Sequence, residues 1–321
     1  MDNRSKFYCW LIGKLQHRRM TLQEICDEWT DSASNYKGSE LSVRTFHRYR
    51  EEIASIFGLE IECDKSDGYR YFIRRDKYAD TEITDWLLSS LRIASLGDML
   101  KYHDKVMLEE APRNTEYLDD IVAAIDKHYA IKFTYKTAYG NEMEMELVPV
   151  FIRLFRQRWY VIGNLISQNG NAPKPNKDNS DYNPRVLPFD RISYLEIVCT
   201  KQVLSLKAKE MLKPENFYDG CYGIIRQEDL KPIQIRIRAF YPENNYINEV
   251  PLHESQRVIK KADEYTDYEL HVSPTRDFEQ ELLWHGRKVI VLSPENFRQE
   301  MIGILKDMTE SYETGKNTVE E

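Results

Sequence analysis

The sequence predicts a multidomain α+β protein, and two observations support this fold class. A chain of 321 residues exceeds the size at which one hydrophobic core usually keeps growing, so two or three domains are expected. The pattern also changes twice, from helices with one hairpin, to short strands, and then to mixed strands and helices. The predicted domains are 1–77, 116–200 and 229–321, joined by a helical linker at 78–115 and a second linker at 201–228.

The N-terminal domain shows the pattern of three helices. The first is expected from 4 to 19, and the second, at about 22–29, follows a capping-box pair of Thr21 and Glu24. Ser42 can cap a third helix. The apolar side chains expected to point inward from that helix are Val43, Phe46, Ile53 and Phe57.

A hairpin is predicted directly after the third helix. The run IECDKSDGYRYFI alternates around the turn signal Ser-Asp-Gly. Three helices followed by a hairpin is the order of a winged helix-turn-helix. Residues 81–108 then read as a longer connecting helical arm, with no proline and a single glycine at 97.

The central domain is predicted to be a small β-barrel that follows a short helix. The run EYLDDIVAAIDKHYAIKFTY begins helical and becomes strand-like near Ile131. A high density of short strands follows, which is typical of a barrel, and the polar stretch at 167–184 is predicted to be an exposed loop. The further strands are expected at 143–148, 151–155, 158–165, 185–189 and 192–198.

The C-terminal domain is predicted to be a small α+β unit. Residues 233–241 (IQIRIRAFY) alternate cleanly, with Gln234, Arg236 and Arg238 on the polar side, and 267–273 form another strand. The segment before them, KAKEMLKPENFYDG, indicates a helix and a linker. Ser293 and Pro294 are expected to start the last helix.

The charge distribution limits the partners of this chain. The net charge is −8, but residues 1–77 carry 14 basic against 13 acidic residues and are the only segment that is not clearly acidic. Within them, LSVRTFHRYR packs three arginines and a histidine into ten residues. Because the sequence contains neither an apolar run of about 20 residues nor a signal-peptide core, we expect a cytoplasmic protein with no membrane partner.

The basic run predicts an operator-binding helix. Arg44, Thr45 and Arg48 share one outward face, and these residue types suit contacts with base edges in the major groove. Contacts to phosphates, which position a protein without reading sequence, are expected from other side chains. The predicted DNA-binding residues are Ser42, Arg44, Thr45, His47, Arg48, Arg50, Lys65 and Arg70.

These motifs resemble three known families. Residues 1–75, with SVRTFHRY and DGYRYFI, resemble the winged helix-turn-helix of DeoR-type bacterial regulators, although Tyr49 replaces the usual aspartate. The runs IKFTY, RWYVIGNL and RVLPFDRI resemble the WYL domain, an Sm-like (SH3-like) β-barrel, with Val161 in place of its leucine. The run LLWHGRKVIVLSPENFRQEM resembles the WCX extension of such proteins. The resemblance implies a transcriptional regulator that senses a ligand.

The RWYVIGNL run contains a tryptophan and a tyrosine for which we expect different roles. On an extended strand Trp159 shares one face with Val161, whereas Tyr160 shares the other with Arg158. We therefore expect Trp159 in the core and Tyr160 at a site for an anion. The resemblance implies a patch for nucleotides or nucleic acid formed by Tyr160, Arg185, Arg158 and Arg191. Two alternatives stay open: carboxylates such as Asp190 could neutralise the arginines, and Glu144 and Glu146 could weaken the site.

The sequence favours a regulator over an enzyme. It contains none of the nucleotide-binding, metalloprotease or nucleophile-elbow motifs, and its seven histidines have no metal-ligand spacing, so no cofactor or catalytic activity is expected. The expected partners are double-stranded operator DNA, a small anionic or nucleotide-like effector or single-stranded nucleic acid, and a second copy of the chain in a homodimer. The alternative is an accessory protein that binds RNA or single-stranded DNA without operator specificity.

Overall fold

The computed structural model describes residues 3–32, 34–35, 38–74, 86, 89–90, 112–173 and 181–317. They belong to two compact units, divided after Glu109. The predicted arm at 81–108 lies almost entirely outside the described residues. Within the described part of the chain, no helix is long and apolar enough to cross a bilayer.

The N-terminal unit contains helices α1 (Asn3–Leu15), α2 (Leu22–Thr30) and α3 (Val43–Phe57), followed by strands β1 (Ile61–Asp64) and β2 (Arg70–Ile73). The first helix ends four residues before its predicted end. The reason is that Met20 leaves the helix to form a β-bridge with Tyr71 of β2, in which each backbone N–H donates to the other residue's carbonyl. This bridge ties the start of α2 to the hairpin.

Local capping fixes where α2 and α3 begin. The predicted capping box is confirmed: the Glu24 backbone N–H donates to Thr21 Oγ1 at 3.2 Å, and the Thr21 N–H donates to Glu24 Oε2 at 2.7 Å. The Ser42 hydroxyl accepts from the Thr45 N–H at 3.1 Å. Leu41, just before this cap, is buried with Phe46, which is the spacing of a hydrophobic staple.

One apolar cluster holds the N-terminal unit together. Phe46 and Ile53 are fully buried as predicted, and Phe57 packs at the margin of the same cluster. The prediction for Val43 is wrong, because its side chain is 55% exposed. Val43 occupies the first position of α3, where no further helical turn lies over it, and Leu41 takes its place in the core.

The central domain is a helix followed by a five-stranded antiparallel sheet. Its elements are α4 (Leu118–Lys127), β3 (Tyr129–Lys136), β4 (Glu142–Phe155), β5 (Arg158–Gln168), β6 (Pro184–Pro188) and β7 (Ile192–Lys201). The strands are ordered β6-β5-β4-β3-β7. The two predicted strands at 143–148 and 151–155 are one long strand, β4, which bends at register shifts near Leu147 and Val150.

The predicted closed barrel is not observed among the described strands. The sheet is open, with β6 and β7 at its two edges, although one face encloses a single core that includes α4. The one-turn 3₁₀ helix Phe189–Arg191 connects the two edge strands. There the Asn114 side-chain amide donates to the carbonyls of Phe189 and Ile192, at 3.0 and 3.1 Å.

The segment predicted as a second linker is packed against the sheet. It forms helices α5 (Leu206–Met211) and α6 (Pro214–Phe217). Ala208, Leu212 and Phe217 are at most 2% exposed and cluster with Ile162 of β5. The outer face of the sheet therefore has its own apolar layer.

The C-terminal domain is a four-stranded antiparallel sheet with helices on one face. Its order is β8 (Ile233–Phe240), α7 (Glu243–Glu249), β9 (Arg257–Lys261), β10 (Tyr265–Val272), α8 (Arg276–Trp284), β11 (Val289–Ser293) and α9 (Glu295–Thr314). The strands lie in the order β11-β8-β10-β9. All five residues of the edge strand β9 are exposed, and the predicted polar side of β8 faces away from the core.

The replacement Phe46→Ala tests the core of the N-terminal unit. We expect it to lower the free energy of unfolding of this unit by about 3–5 kcal/mol, because a fully buried ring leaves a cavity. Val43→Ala on the same helix should change it by less than about 0.5 kcal/mol. Urea denaturation followed by tryptophan fluorescence measures both, and equal effects would contradict the packing described here.

The replacement Gly163→Ala tests the close approach of the β4 backbone to Gly163 of β5. A Cβ at this position would lie 2.3 Å from the Val148 carbonyl oxygen and 2.9 Å from Pro149 Cα, so the backbone of β4 must shift. We expect a loss of about 1–3 kcal/mol in stability of the central domain. Gly303→Ala in α9 meets nothing within 4 Å and should instead stabilise its helix by about 0.5–1 kcal/mol, as thermal unfolding would show.

Candidate functional site

The outward face of α3 presents two predicted base-contacting arginines. Arg44 is exposed, and no carboxylate of the described residues lies within ion-pair distance of it. Arg48 is also exposed, makes a loose ion pair with Glu52 at 3.8 Å, and stacks on Tyr49 at 5.2 Å. Exposed ion pairs of this kind contribute little, so both guanidinium groups can reach a duplex.

The remaining predicted residues of α3 are more constrained. Ser42 caps the helix, and its hydroxyl donates to Thr45 Oγ1 at 2.8 Å. The His47 ring packs edge-on against Phe46 at 5.5 Å and is half-buried. Arg50 is half-buried beside Glu60 and Glu62, on a different side of the helix from Arg44.

The hairpin is less basic than its sequence suggested. Lys65 is exposed in the turn between β1 and β2. Arg70 contacts Glu24 at 3.6 Å and donates to the Arg19 carbonyl, so its positive charge is compensated within the N-terminal unit. Asp64 lies in the same turn, where hydrogen bonds from the Ser66 hydroxyl and backbone lower the pKa of its carboxyl group. Of the two predicted phosphate-contacting residues of this hairpin, Lys65 is therefore the one without an ion pair among the described residues.

The alternation predicted for β5 is observed. Val161 lies in the inner core of the sheet, and Trp159 packs at its margin, with its ring 6.4 Å from that of Phe189. Tyr160 and Ile162 pack on the opposite, outer face. Trp159 is half-buried, so it closes the core and is not at its centre.

The outer face brings together alternating arginines and aromatic rings. Arg153 of β4 is the cross-strand partner of Tyr160, and Phe155 is the partner of Arg158. The Arg158 guanidinium lies 5.7 Å from the Tyr160 ring, and that of Arg153 lies 4.1 Å from the Tyr218 ring. We call Arg153, Arg158, Tyr160 and Tyr218 the cation–aromatic face.

The two arginines of this face differ in their charge partners. Arg158 is neutralised by Asp190, with three nitrogen–oxygen distances of 2.8 to 3.1 Å. No carboxylate of the described residues pairs with Arg153, whose partner is the phenol of Tyr218. Burial raises the pKa of Tyr218, despite the opposing effect of Arg153, so the phenol stays neutral. Arg153 therefore keeps an uncompensated positive charge.

The two other predicted ligand residues lie elsewhere. Arg185 of β6 pairs with Gly163 and lies on the face of Trp159 and Val161, so the register does not bring it to Tyr160. Its guanidinium donates to the Pro184 carbonyl at 2.8 Å, and burial lowers its pKa. Arg191 is half-buried in the 3₁₀ turn, and within the described part of the chain no carboxylate pairs with either arginine.

The acidic residues that could weaken an anion site are remote from the cation–aromatic face. Glu144 pairs with Lys132 at 3.4 Å, and Glu146 is the cross-strand partner of the same lysine. Glu146 is separated from Arg153 by seven positions of β4, or about 23 Å of extended strand. The two glutamates therefore do not neutralise Arg153.

Sequence reasoning missed Arg153, Tyr218 and Arg226. Arg226 extends the same surface, with its guanidinium 4.8 Å from the Phe217 ring and 3.0 Å from the Tyr182 hydroxyl. A signal for Arg153 existed: a two-residue turn at 156–157 pairs it with Tyr160 by counting alone. Tyr218 and Arg226 lie more than 50 residues further along the chain, and no local pattern places them here.

Among the described residues, no group of three or more histidine, cysteine, aspartate or glutamate side chains could hold a metal ion. The chemistry of the cation–aromatic face is that of a binding site, because a guanidinium stacked on half-buried aromatic rings can bind phosphate and a base.

Family models identify the two domains of the second unit. Residues 116–197 match the WYL domain, and residues 231–309 match the WCX domain. The chain therefore contains a WYL domain followed by a WCX domain, which confirms these two predicted assignments. The DeoR-type character of the N-terminal unit stays a prediction. No curated protein matches the chain in sequence.

Two solved structures are similar over nearly the whole chain. Proteasome accessory factor B/C (PafBC) of Arthrobacter aurescens is 18% identical, with a TM-score of 0.40 over 99% of this chain and 48% of that chain. A CRISPR Cas-related protein is 13% identical, with a TM-score of 0.39 over 97% of this chain and 83% of that chain. This chain thus spans about half the length of the first, and such distant similarity defines neither its function nor its ligand.

Proposed function

We propose that this chain is a bacterial, cytoplasmic transcriptional regulator. Its N-terminal unit, as a winged helix-turn-helix, binds operator DNA, and its WYL domain binds a nucleotide or another nucleic-acid-like anion. The WCX domain couples ligand occupancy to the geometry of a homodimer. In this proposal the chain acts by binding and not by catalysis.

The outward face of α3 is the observation that carries the DNA-binding proposal. Two exposed arginines one helical turn apart can each engage guanine O6 and N7. Val43, exposed beside them, offers an apolar contact for a thymine methyl group. A homodimer would place two such helices one turn of DNA apart and read a palindrome.

Arg153 carries the ligand-sensing proposal. Arg153 is half-buried and has no carboxylate partner among the described residues, so it favours an anion, since binding one compensates its partly desolvated charge. Tyr160 and Tyr218 add ring surfaces for a base, as in single-strand-binding proteins. Sensing further requires that the ligand bind the DNA-competent arrangement more or less tightly than the other one.

The replacements Arg44→Ala and Arg48→Ala test base readout. Against duplexes selected from a random library, we expect each to reduce discrimination between the selected and scrambled sequences by about 1–3 kcal/mol. Lys65→Ala removes the same charge from the turn of the hairpin and should weaken all duplexes similarly, with a smaller salt slope. Fluorescence anisotropy over a salt series measures both quantities; unchanged discrimination in both arginine variants would refute operator reading by α3.

The replacements Arg153→Ala and Tyr160→Ala test the ligand site. With labelled oligodeoxythymidine of about ten nucleotides as the probe, we expect each to reduce binding by about 1–3 kcal/mol. Arg236→Ala in the WCX sheet is the control for loss of one positive charge, because it removes an arginine, more exposed than Arg153, that is paired with Glu269 at 2.9 Å. Competition by ADP would identify a nucleotide-sized ligand. Equal binding by all three variants would exclude the cation–aromatic face.

The same measurements separate the regulator from an accessory protein that binds RNA or single-stranded DNA. The cation–aromatic face alone would suit both. Loss of single-strand binding in Tyr160→Ala, together with no effect of Arg44→Ala or Arg48→Ala on duplex binding, would favour the accessory protein.

A further inference from the structure

The β4–β5 hairpin ends in a backbone-strained turn. Phe155 pairs with Arg158, so the turn consists of Arg156 and Gln157 alone, with φ values of +47° and +59°. Two positive φ values define a type I′ turn, for which asparagine and glycine are preferred. Neither residue here relieves the strain, so contacts elsewhere must hold the turn. The hairpin also carries Arg153, Arg158 and Tyr160.

The contacts that hold this turn come from the WCX domain and the segment before it. The Arg156 guanidinium forms an ion pair with Glu281 of α8 and a hydrogen bond with Tyr222, and these partners raise its pKa. The Tyr222 ring packs edge-on against Phe155 at 6.4 Å. The tip of the hairpin is therefore attached to α8 through one carboxylate and one phenol.

Behind Glu281 lies a histidine that is shared by two carboxylates. His285 Nδ1 is 2.7 Å from Glu243 Oε1 of α7, whereas its Nε2 lies 3.6 Å from Glu281 Oε1 and makes no hydrogen bond among the described residues. The His285 side chain is only 10% exposed. A neutral imidazole has one N–H and cannot donate to both carboxylates, whereas the protonated ring can. The charged and titratable groups facing this site are thus Glu243, Glu281, Arg156 and Tyr222.

The protonated form of His285 is favoured in the folded chain. The neighbouring carboxylates of Glu281 and Glu243 raise the pKa of His285 against the opposing effect of burial, and the contact with His285 helps to lower the pKa of Glu281. The stabilisation of the folded chain by protonated His285 is fully present below the unfolded-state histidine pKa of about 6.5. It is lost as pH rises through the higher folded-state pKa.

We propose that Arg156, Glu281, His285 and Glu243 form a latch that holds the β4–β5 hairpin against the WCX domain. Glu281 and His285 are positioning residues that act through Arg156 on the cation–aromatic face. Protonated His285 can donate to both carboxylates and so helps to position Glu281 for its pair with Arg156. Deprotonation removes this one contact and loosens the hold on the strained turn. The effect on ligand binding rests on the proposed function, whereas the latch itself does not.

Hydrogen exchange of the full chain tests the latch without a ligand. After correction for intrinsic rates, we expect protection of a peptide spanning 155–158 to fall by about tenfold between about pH 6 and about pH 8.5. His285→Gln should show low protection at both pH values. His271→Gln, at an exposed histidine of β10, should keep the wild-type profile. A pH profile that is the same in His285→Gln and wild type would overturn the proposal.

A second set of variants separates the latch from general loss of structure. Gln157→Gly relieves strain and keeps the Arg156–Glu281 pair, so we expect protection at least equal to wild type. Glu281→Gln should lower protection and weaken binding of the oligodeoxythymidine probe about fivefold. Glu269→Gln, which removes the same charge at the half-buried partner of Arg236, should do neither.

The two proposals fail in different ways. If wild type does not bind the probe but hydrogen exchange follows the expected pH profile, the ligand-sensing proposal is refuted and the latch is supported. If the probe binds and Arg153→Ala weakens it, while protection at 155–158 is independent of pH and of Glu281, the latch is refuted.

Discussion

The two-residue period of β5 is the constraint on which the candidate ligand site depends. Because neighbouring side chains on an extended strand point to opposite faces, Val161 and Trp159 close the inner core while Tyr160 lies on the outer face. Gly163 fixes the register of that strand, since a side chain there would collide with the backbone of β4. A slip by one position would bury the tyrosine and expose the tryptophan.

Charge compensation decides which arginines remain available to a partner. Arg158 and Arg70 are arginines, the residue type expected at an anion-binding surface. Asp190 nevertheless neutralises Arg158, and Glu24 contacts Arg70. Arg153 stacks on a neutral phenol and keeps its charge. Residue type alone therefore identifies candidates, and the acidic neighbours supplied by the fold select among them.

The features that could be predicted from the sequence are those that depend on residues close together in the chain. The capping box at Thr21, the cap at Ser42 and the alternation of β5 depend on residues within a few positions of one another, and all are observed. Arg153 and Tyr218 could not be joined in this way, because 65 positions separate them and the packing of α6 on the sheet brings them together.

Errors arose where the end of an element is decided by distant contacts. The first helix ends early because Met20 pairs with Tyr71, about 50 positions away. The sheet remains open between β6 and β7, and the connection between these strands is held by hydrogen bonds from the distant Asn114 amide. Neither contact has a signature in the neighbouring residues. Arg185 illustrates the same limit, since only the observed pairing with Gly163 separates it from Tyr160.

The exposed edge strand β9 restricts how copies of this chain can associate. Three of its five residues are basic (Arg257, Lys260 and Lys261), and they flank Val258 and Ile259, which are 53% and 45% exposed. Two such edges placed side by side would set like charges against each other, as in natural sheets that resist polymerisation. Electrostatic repulsion therefore opposes self-association that extends the WCX sheet across this edge. A homodimer would form more favourably through another surface.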